Sequence, residues 1–164
     1  YFKERFSIPE SLEEIKSTWM DMARDKYTNK VPLKPGAREF LVWLRQQGIR
    51  TGIASSNGIE LVETVLKAQG IQEYLESVHT CCEVPKGKPA PDIYLLVAET
   101  LGVKPEECLV FEDVPMGILA GKNAGMRVCA VEDTFSASQR EEKKELADYY
   151  IESYDEIPRE RMQP

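Results

Sequence analysis

The sequence predicts an α/β fold in which helices cover a parallel sheet, and two kinds of segment indicate it. Five short runs of apolar or β-branched residues have the length and composition of strands. They span residues 49–54, 77–82, 108–112, 127–131 and 148–151. Amphipathic segments of helical length alternate with these runs, and such alternation is typical of a parallel sheet with both faces covered.

Four of the amphipathic segments are predicted to be helices of the α/β unit, at residues 37–47, 59–69, 91–101 and 116–124. A glycine follows each of them, where a helix commonly ends in a left-handed residue. A further charged stretch at residues 139–145 is expected to form a solvated helix face.

The first thirty residues predict a helix without a strand partner. Ser11 and Glu14 have the spacing of a capping box, and apolar residues follow at helical spacing. The proline-rich segment 31–36 then breaks the helix. We therefore expect a helical piece at residues 1–32 and an α/β domain at residues 33–164.

Composition excludes several classes of protein. The formal charge of −7 over 164 residues argues against a nucleic-acid partner, since such binding depends on clustered Lys and Arg. No apolar run approaches the roughly 20 residues that span a bilayer, so no membrane partner and a cytoplasmic location are expected. The four cysteines lack the paired spacing of a zinc site. The sequence does not predict an oligomeric state.

Chemistry is expected where strands end, because the carboxyl ends of parallel strands present loops and helix N-termini at one edge. The first such loop contains Ser55, Ser56 and Asn57. Their hydroxyl, amide and backbone N–H groups can bind a phosphate oxygen, helped by the helix that follows. The same residue types are also ordinary helix N-caps, and this loop alone does not separate the two interpretations.

The second loop, residues 86–92, carries Lys88 between Gly87 and Pro89. Two prolines stiffen its backbone and so fix where the ammonium of Lys88 lies, which suits a role beside a phosphoryl group. A plain turn with a solvated lysine is the alternative.

The third loop follows an apolar run and begins with two adjacent carboxylates, Glu112 and Asp113. Adjacent carboxylates repel, so a divalent cation that offsets them is favoured, and Mg²⁺ prefers such oxygen ligands. The alternative is a pair of acids that cap the following helix.

The three loops together resemble the haloacid-dehalogenase-like (HAD) superfamily, in particular its members with a helical cap, such as β-phosphoglucomutases and related phosphatases. The resemblance extends from about Val31 to the end of the chain. It implies a Rossmann-like core, with residues 1–32 the remnant of a cap. It implies that Ser55 binds the transferring phosphoryl group with support from Ser56 and Asn57. It further implies that Lys88 neutralises nucleophile and phosphate, while Asp113 binds Mg²⁺ and Glu112 is a ligand or lies behind one.

The sequence departs from this family in one respect. The family begins with a strand that ends in Asp-x-Asp, whose first aspartate attacks phosphorus, and no two aspartates here are two residues apart. We therefore expect a core without its first strand and a nucleophile outside this chain. By itself, the 164-residue chain is expected to be inactive.

The resemblance implies a Mg²⁺-dependent phosphatase of small phosphorylated metabolites that forms an aspartyl-phosphate intermediate. A β-phosphoglucomutase-like sugar phosphomutase is the second interpretation, and a non-catalytic fragment that binds phosphate and metal is the third. The acidic pair disfavours a metal-free dehalogenase. A phosphonatase needs a Schiff-base lysine in the cap, for which Lys16, Lys26 and Lys30 are candidates.

Overall fold

The computed structural model describes residues 1–159 of the 164-residue chain. The last five residues of the predicted domain at residues 33–164 lie outside this range. The helices are α1 Phe2–Arg5, α2 Leu12–Asn29, α3 Ala37–Gln46, α4 Ile59–Gln69, α5 Asp92–Leu101, α6 Pro115–Asn123 and α7 Arg140–Leu146. The strands are β1 Gly52–Ser55, β2 Ser77–Thr80, β3 Leu109–Glu112, β4 Arg127–Val131 and β5 Tyr149–Ile151.

All five strands pair in parallel. Strand β1 pairs with β2, and Ser55 lies opposite Thr80. Strand β4 lies between β3 and β5, with Glu112 opposite Ala130. Helices connect the strands, so the predicted α/β class with a parallel sheet flanked by helices is confirmed.

Helices cover both faces of the strands because successive side chains of a strand point to opposite sides. On one face, Ala54 and Val110 pack in a core built mainly from α5 and α6. On the other face, Ile53 packs against α4 residues, and Phe111 contacts the ring of Phe40 in α3 at 5.4 Å between centroids. The carboxyl ends of β1 and β3 are thereby fixed between two helical layers.

Strands β1 and β3 belong to separate hydrogen-bonded sheets, and we refer to the region between their facing edges as the opening. Among the described residues, β1 is hydrogen-bonded only to β2, and β3 only to β4. Burial follows this pattern: four of the five residues of β4 are buried, whereas all but one residue in β1 and β3 together are half-buried or exposed. Two parallel strand edges therefore border the opening, and the predicted site loops lie at its rim.

Helix α2 begins as the sequence predicts. Ser11 and Glu14 form the reciprocal capping box, with N to O distances of 2.8 and 3.2 Å. The helix lies against α4, but within residues 1–159 none of its own residues is buried. Trp19 and Met22 are among its exposed apolar side chains. The division into a cap remnant at 1–32 and a core at 33–164 stays a prediction.

Three local predictions hold only in part. The strand predicted at residues 49–54 begins late, at Gly52. The stretch at residues 139–145 is not wholly solvated, because the side chain of Lys143 in α7 is fully buried. The predicted strand at residues 77–82 ends early: Cys81–Glu83 forms a 3₁₀ turn, in which the carboxylate of Glu83 accepts a hydrogen bond from the backbone N–H of Thr80 at 2.7 Å. The burial of Lys143 depends on contacts that local composition does not encode. Thr80 and Glu83, in contrast, have the Thr-x-x-Glu spacing of a capping box, a local signal that the strand prediction did not use.

Within residues 1–159, the structure contains no helix that is both long and apolar enough to span a bilayer.

Candidate active site

Ser55, the last residue of β1, holds the loop that follows the strand through a hydrogen bond to its side chain. The backbone N–H of Asn57 donates to the hydroxyl of Ser55 at 3.1 Å. The side-chain amide of Asn57 donates to the hydroxyl of Tyr27 in α2, also at 3.1 Å, which joins this loop to the N-terminal helix. Ser56 is exposed, and its hydroxyl lies 3.7 Å from the sulfur of Cys81. Three of the four predicted phosphate-binding residues, Ser55, Ser56 and Asn57, thus lie together at the carboxyl end of β1.

Lys88 reaches across the opening between β1 and β3. Its ammonium donates to the carbonyl oxygen of Ala54 at 3.1 Å and to Oε1 of Glu112. The side chains of Lys88 and Glu112 are only 12% and 10% exposed. The Lys88–Pro89 peptide bond is cis. Lys88 is therefore held beside the carboxyl ends of both strands and is not the solvated lysine of the alternative interpretation.

Glu112 has a second donor that the sequence did not indicate. The hydroxyl of Tyr94 donates to the same Oε1 that Lys88 contacts, and the Lys88 ammonium lies 4.9 Å from the centroid of the Tyr94 ring. Burial and the nearby carboxylate of Glu112 raise the pKa of Tyr94 well above its ordinary value, so the hydroxyl keeps its proton. Oε1 of Glu112 is consequently occupied by protein donors, whereas Oε2 accepts from the backbone N–H of Asp113 at 3.3 Å.

Gly117 makes room for the Glu112 carboxylate. A Cβ atom at this position in the first turn of α6 would overlap with the carboxyl group of Glu112. The lack of a side chain at residue 117 lets the acid lie against the helix, where Lys88 and Tyr94 reach it.

Asp113 differs from Glu112 in exposure and in partners. Its side chain is 41% exposed, and the ammonium of Lys34 lies 3.8 Å from Oδ2, which is beyond hydrogen-bonding distance. Lys34 donates instead to the carboxylate of Asp133 and to the carbonyl of Glu132, the latter at 3.1 Å. Partial burial and the negative charge of Glu112 raise the pKa of Asp113, whereas the Lys34 hydrogen bond lowers the pKa of Asp133.

This electrostatic situation fits a cation at Asp113. A carboxylate whose charge is disfavoured by its surroundings gains most from a nearby positive ion. Among residues 1–159, however, no group of three His, Cys, Asp or Glu side chains converges as a metal site. Of the two predicted metal residues, Asp113 is the more exposed, at 41% against 10% for Glu112, and a complete coordination shell needs further oxygen ligands.

Sequence reasoning missed Tyr94 and Lys34. Tyr94 lies close behind the loop of Lys88 and is nearly fully buried on α5, so a phenol near the predicted lysine was the available signal. Lys34 lies 79 residues before Asp113 and 99 before Asp133. No local pattern joins residues so far apart, and only the packing of the segment before α3 against the ends of β3 and β4 brings them together.

Comparisons with known proteins identify the family of this chain. Residues 4–125 match the family model described as haloacid dehalogenase-like hydrolase. Hexitol phosphatase B of Escherichia coli K12 is 32% identical over 126 residues, which cover 77% of this chain and 56% of that protein. The phosphorylated carbohydrates phosphatase of Thermotoga maritima is 32% identical over 123 residues, which cover 75% of this chain and 57% of that protein.

Among solved structures, a single-site mutant of CbbY from Rhodobacter sphaeroides, in complex with xylulose-(1,5)bisphosphate, superposes with a TM-score of 0.80 at 25% identity. The match covers 91% of this chain and 67% of that one. The chain spans a little over half the length of the two phosphatases above. With three quarters of its residues inside the matching family model, this chain belongs to the haloacid dehalogenase-like hydrolases.

Proposed function

We propose that the protein containing this chain is a Mg²⁺-dependent phosphatase of small phosphorylated metabolites. It acts through an aspartyl-phosphate whose nucleophilic aspartate lies outside these 164 residues. The observation that carries the proposal is the position of Lys88. A nearly nine-tenths buried ammonium bridges the carboxyl ends of β1 and β3, next to the Ser55 loop and bonded to the carboxylate of Glu112.

The phosphoryl group is proposed to lie between the Ser55 loop and Lys88. The loop supplies the hydroxyls of Ser55 and Ser56 at a turn that leads into α4, a helix of 11 residues. Asn57 holds this turn, because its backbone N–H donates to Ser55 and its side-chain amide donates to Tyr27. Such a turn favours an anion because the helix N-terminus is positive. Lys88, held by Ala54 and Glu112, then offsets phosphate charge without having to move, which is the form of electrostatic stabilisation that lowers barriers most.

The opening between β1 and β3 is the proposed position of the nucleophile. A parallel strand inserted there would pair with both edges, and each buried backbone group that stays unpaired otherwise costs about 1 to 3 kcal/mol. The carboxyl end of such a strand would lie between Ser55 and Glu112. An aspartate at that end would face the phosphate from the same edge as Lys88.

Asp113 is the proposed Mg²⁺ ligand of this chain. Glu112 is proposed to be a second ligand through Oε2 or to support the site from behind through Lys88. A bound Mg²⁺ would neutralise charge on the phosphoryl oxygens. The raised pKa of Asp113 supports this assignment, because a cation would relieve the repulsion between Asp113 and Glu112.

A phosphorylated sugar or sugar alcohol is the proposed substrate class. The support comes from two relatives, a hexitol phosphatase and a phosphatase of phosphorylated carbohydrates. The structure of CbbY also holds a sugar bisphosphate. The phosphonatase alternative has no such support, since Lys16, Lys26 and Lys30 are all exposed on or next to α2, and a Schiff-base lysine is typically desolvated.

The test is a steady-state assay of the full-length protein against a generic phosphomonoester and a panel of hexose, pentose and hexitol phosphates, with Mg²⁺ titrated from zero. The proposal predicts release of inorganic phosphate that requires Mg²⁺. Interconversion of sugar phosphates without phosphate release would instead identify the phosphomutase. Phosphate and Mg²⁺ binding without turnover of any substrate would identify the non-catalytic alternative and contradict the proposal.

A further inference from the structure

Lys143 is a buried cation at some distance along the chain from the proposed phosphate site. It lies in α7, its side chain has no exposed area, and it is the largest of the fully buried side chains within residues 1–159. Burying an ammonium is costly unless its donors are satisfied. Its ammonium contacts the hydroxyl of Ser136 at 2.9 Å, and the carbonyl of Val131 and the carboxylate of Glu132 at 3.4 Å each.

The hydrogen bond between Lys143 and Ser136 has a direction that chemistry fixes. An ammonium only donates, so the hydroxyl of Ser136 accepts from it. The single hydroxyl proton of Ser136 then goes to its other neighbour, the backbone carbonyl of Asp113, at 2.5 Å. Ser136 is itself buried, with 1% exposure. Two hydrogen bonds in series thus connect Lys143 to Ser136 and Ser136 to the carbonyl of Asp113. Hydrogen bonds in series strengthen each other by polarisation.

The loop that carries Ser136 also acts on the side chain of Asp113. Asp133, three residues earlier, accepts a hydrogen bond from Lys34, and the same ammonium lies 3.8 Å from the Asp113 carboxylate. A local hydrogen bond also holds this loop, because the backbone N–H of Phe135 donates to the carboxylate of Asp133 at 2.8 Å. The loop after β4 therefore binds the carbonyl of Asp113 directly through Ser136. Through Asp133 it also holds Lys34, whose ammonium lies near the Asp113 carboxylate.

We propose that Lys143 and Ser136 are positioning residues that orient Asp113 for binding a divalent cation. This inference rests on the proposed role of Asp113 as a Mg²⁺ ligand. Neither residue touches the cation or the substrate. They act by holding the carbonyl of Asp113, which sets the direction in which its carboxylate leaves the end of β3.

Ser136→Ala in the full-length protein tests the inference, because it removes one hydroxyl and little volume. The readouts are the Mg²⁺ concentration at half-maximal hydrolysis of a generic phosphomonoester, the turnover at saturating Mg²⁺, and the thermal melting midpoint. Supporting groups behind a metal ligand typically contribute about 10-fold to 100-fold in metal affinity. We expect Ser136→Ala to raise the half-saturating Mg²⁺ concentration by about 10-fold, with turnover at saturation close to wild type.

Ser77→Ala is the matched control. Ser77 is also buried, and its hydroxyl has no hydrogen-bond partner among residues 1–159. Replacing it should leave the Mg²⁺ dependence unchanged. Lys143→Met removes the charge at similar volume. If the two residues act along one path, the double variant Lys143→Met with Ser136→Ala should weaken Mg²⁺ binding by less than the product of the single effects.

Three outcomes are distinguishable by adding Asp113→Asn. A raised half-saturating Mg²⁺ concentration in both Asp113→Asn and Ser136→Ala, with Ser77→Ala normal, supports the inference. A raised value in Asp113→Asn alone overturns it and leaves the proposed function standing. Hydrolysis that ignores Mg²⁺ in the wild type and in Asp113→Asn overturns the proposed function and this inference together.

Discussion

The ammonium of Lys88 donates to the carboxylate of Glu112 across the opening between β1 and β3, and both side chains are about nine-tenths buried. The pair joins two strands that share no backbone hydrogen bond within the described residues. An ion pair in such a place is costly to desolvate and is retained only where its partners are well satisfied, here by Ala54 and Tyr94 as well. Substitutions in this pair should therefore change both the stability of the fold and the proposed turnover of substrate.

Lys88→Met should lower both stability and turnover. It leaves the carboxylate of Glu112 buried with Tyr94 as its remaining side-chain donor, and breaking a buried pair costs about 3 to 5 kcal/mol. The double variant Lys88→Met with Glu112→Gln should regain part of that stability, because no buried charge is left alone. Its turnover should stay reduced by about 100-fold or more, since the stabilising charge is gone. Turnover that recovers with stability would show that Lys88 is only structural.

Gly117→Ala tests the position of Glu112. The added methyl group would overlap with the Glu112 carboxylate and displace it from Lys88. We expect a loss of about 1 to 3 kcal/mol in the free energy of unfolding from overpacking, although alanine favours helix by about 1 kcal/mol. Chemical denaturation measures this change. Gly87→Ala, where a Cβ would meet no atom within 4 Å, is the control. Equal stability of both variants would contradict the described contact.

Asp113→Asn should weaken Mg²⁺ binding and cut turnover by orders of magnitude while stabilising the metal-free protein. The pKa of Asp113 is raised in the folded state, chiefly by burial and by Glu112, so its charge opposes folding near neutral pH. Removing that charge relieves the repulsion. Melting curves with and without Mg²⁺ check both halves of the prediction. A metal-free variant that melts below the wild type, or near-normal activity at limiting Mg²⁺, would argue against the assignment.

Glu132 should make the fold sensitive to acid. Hydrogen bonds from Arg140 and Tyr150 lower its pKa from 4.5 to about 2. Because the folded pKa lies below the unfolded one, the stabilisation is complete above about pH 4.5 and is lost as pH falls toward 2. Glu132→Gln should therefore flatten the decline of unfolding free energy between pH 4.5 and 2. Urea unfolding at a series of pH values measures it, and an unchanged slope would refute the role.

Much of the fold follows from local signals. The helix at Ile59–Gln69 has the predicted bounds, because Gly70 adopts the left-handed conformation that ends it. The loops of Ser55, Lys88 and Glu112 were expected at one edge because parallel strands present their carboxyl ends together, and Lys88 does lie within contact of Ala54 and Glu112. The roles of these residues stay a proposal.

Other features could not be predicted from the sequence because they depend on packing between distant segments. Every residue at 139–145 is charged or polar, and nothing in that pattern marks Lys143 as the inward one. Its burial follows from how α7 lies against the end of β4 and the loop of Ser136. The contact between Lys34 and Asp133 likewise depends on packing between segments that lie 99 residues apart in the sequence.

The central claim is that this chain supplies the phosphate and metal side of an active site whose nucleophile comes from outside it. Residues 1–164 alone and the full-length protein should be purified side by side and checked for cooperative melting and oligomeric state. Mg²⁺-dependent hydrolysis of a generic phosphomonoester is then measured for both. The account predicts hydrolysis by the full-length protein and none above background by residues 1–164. A monomer of residues 1–164 that melts cooperatively and hydrolyses the ester in a Mg²⁺-dependent manner would contradict it.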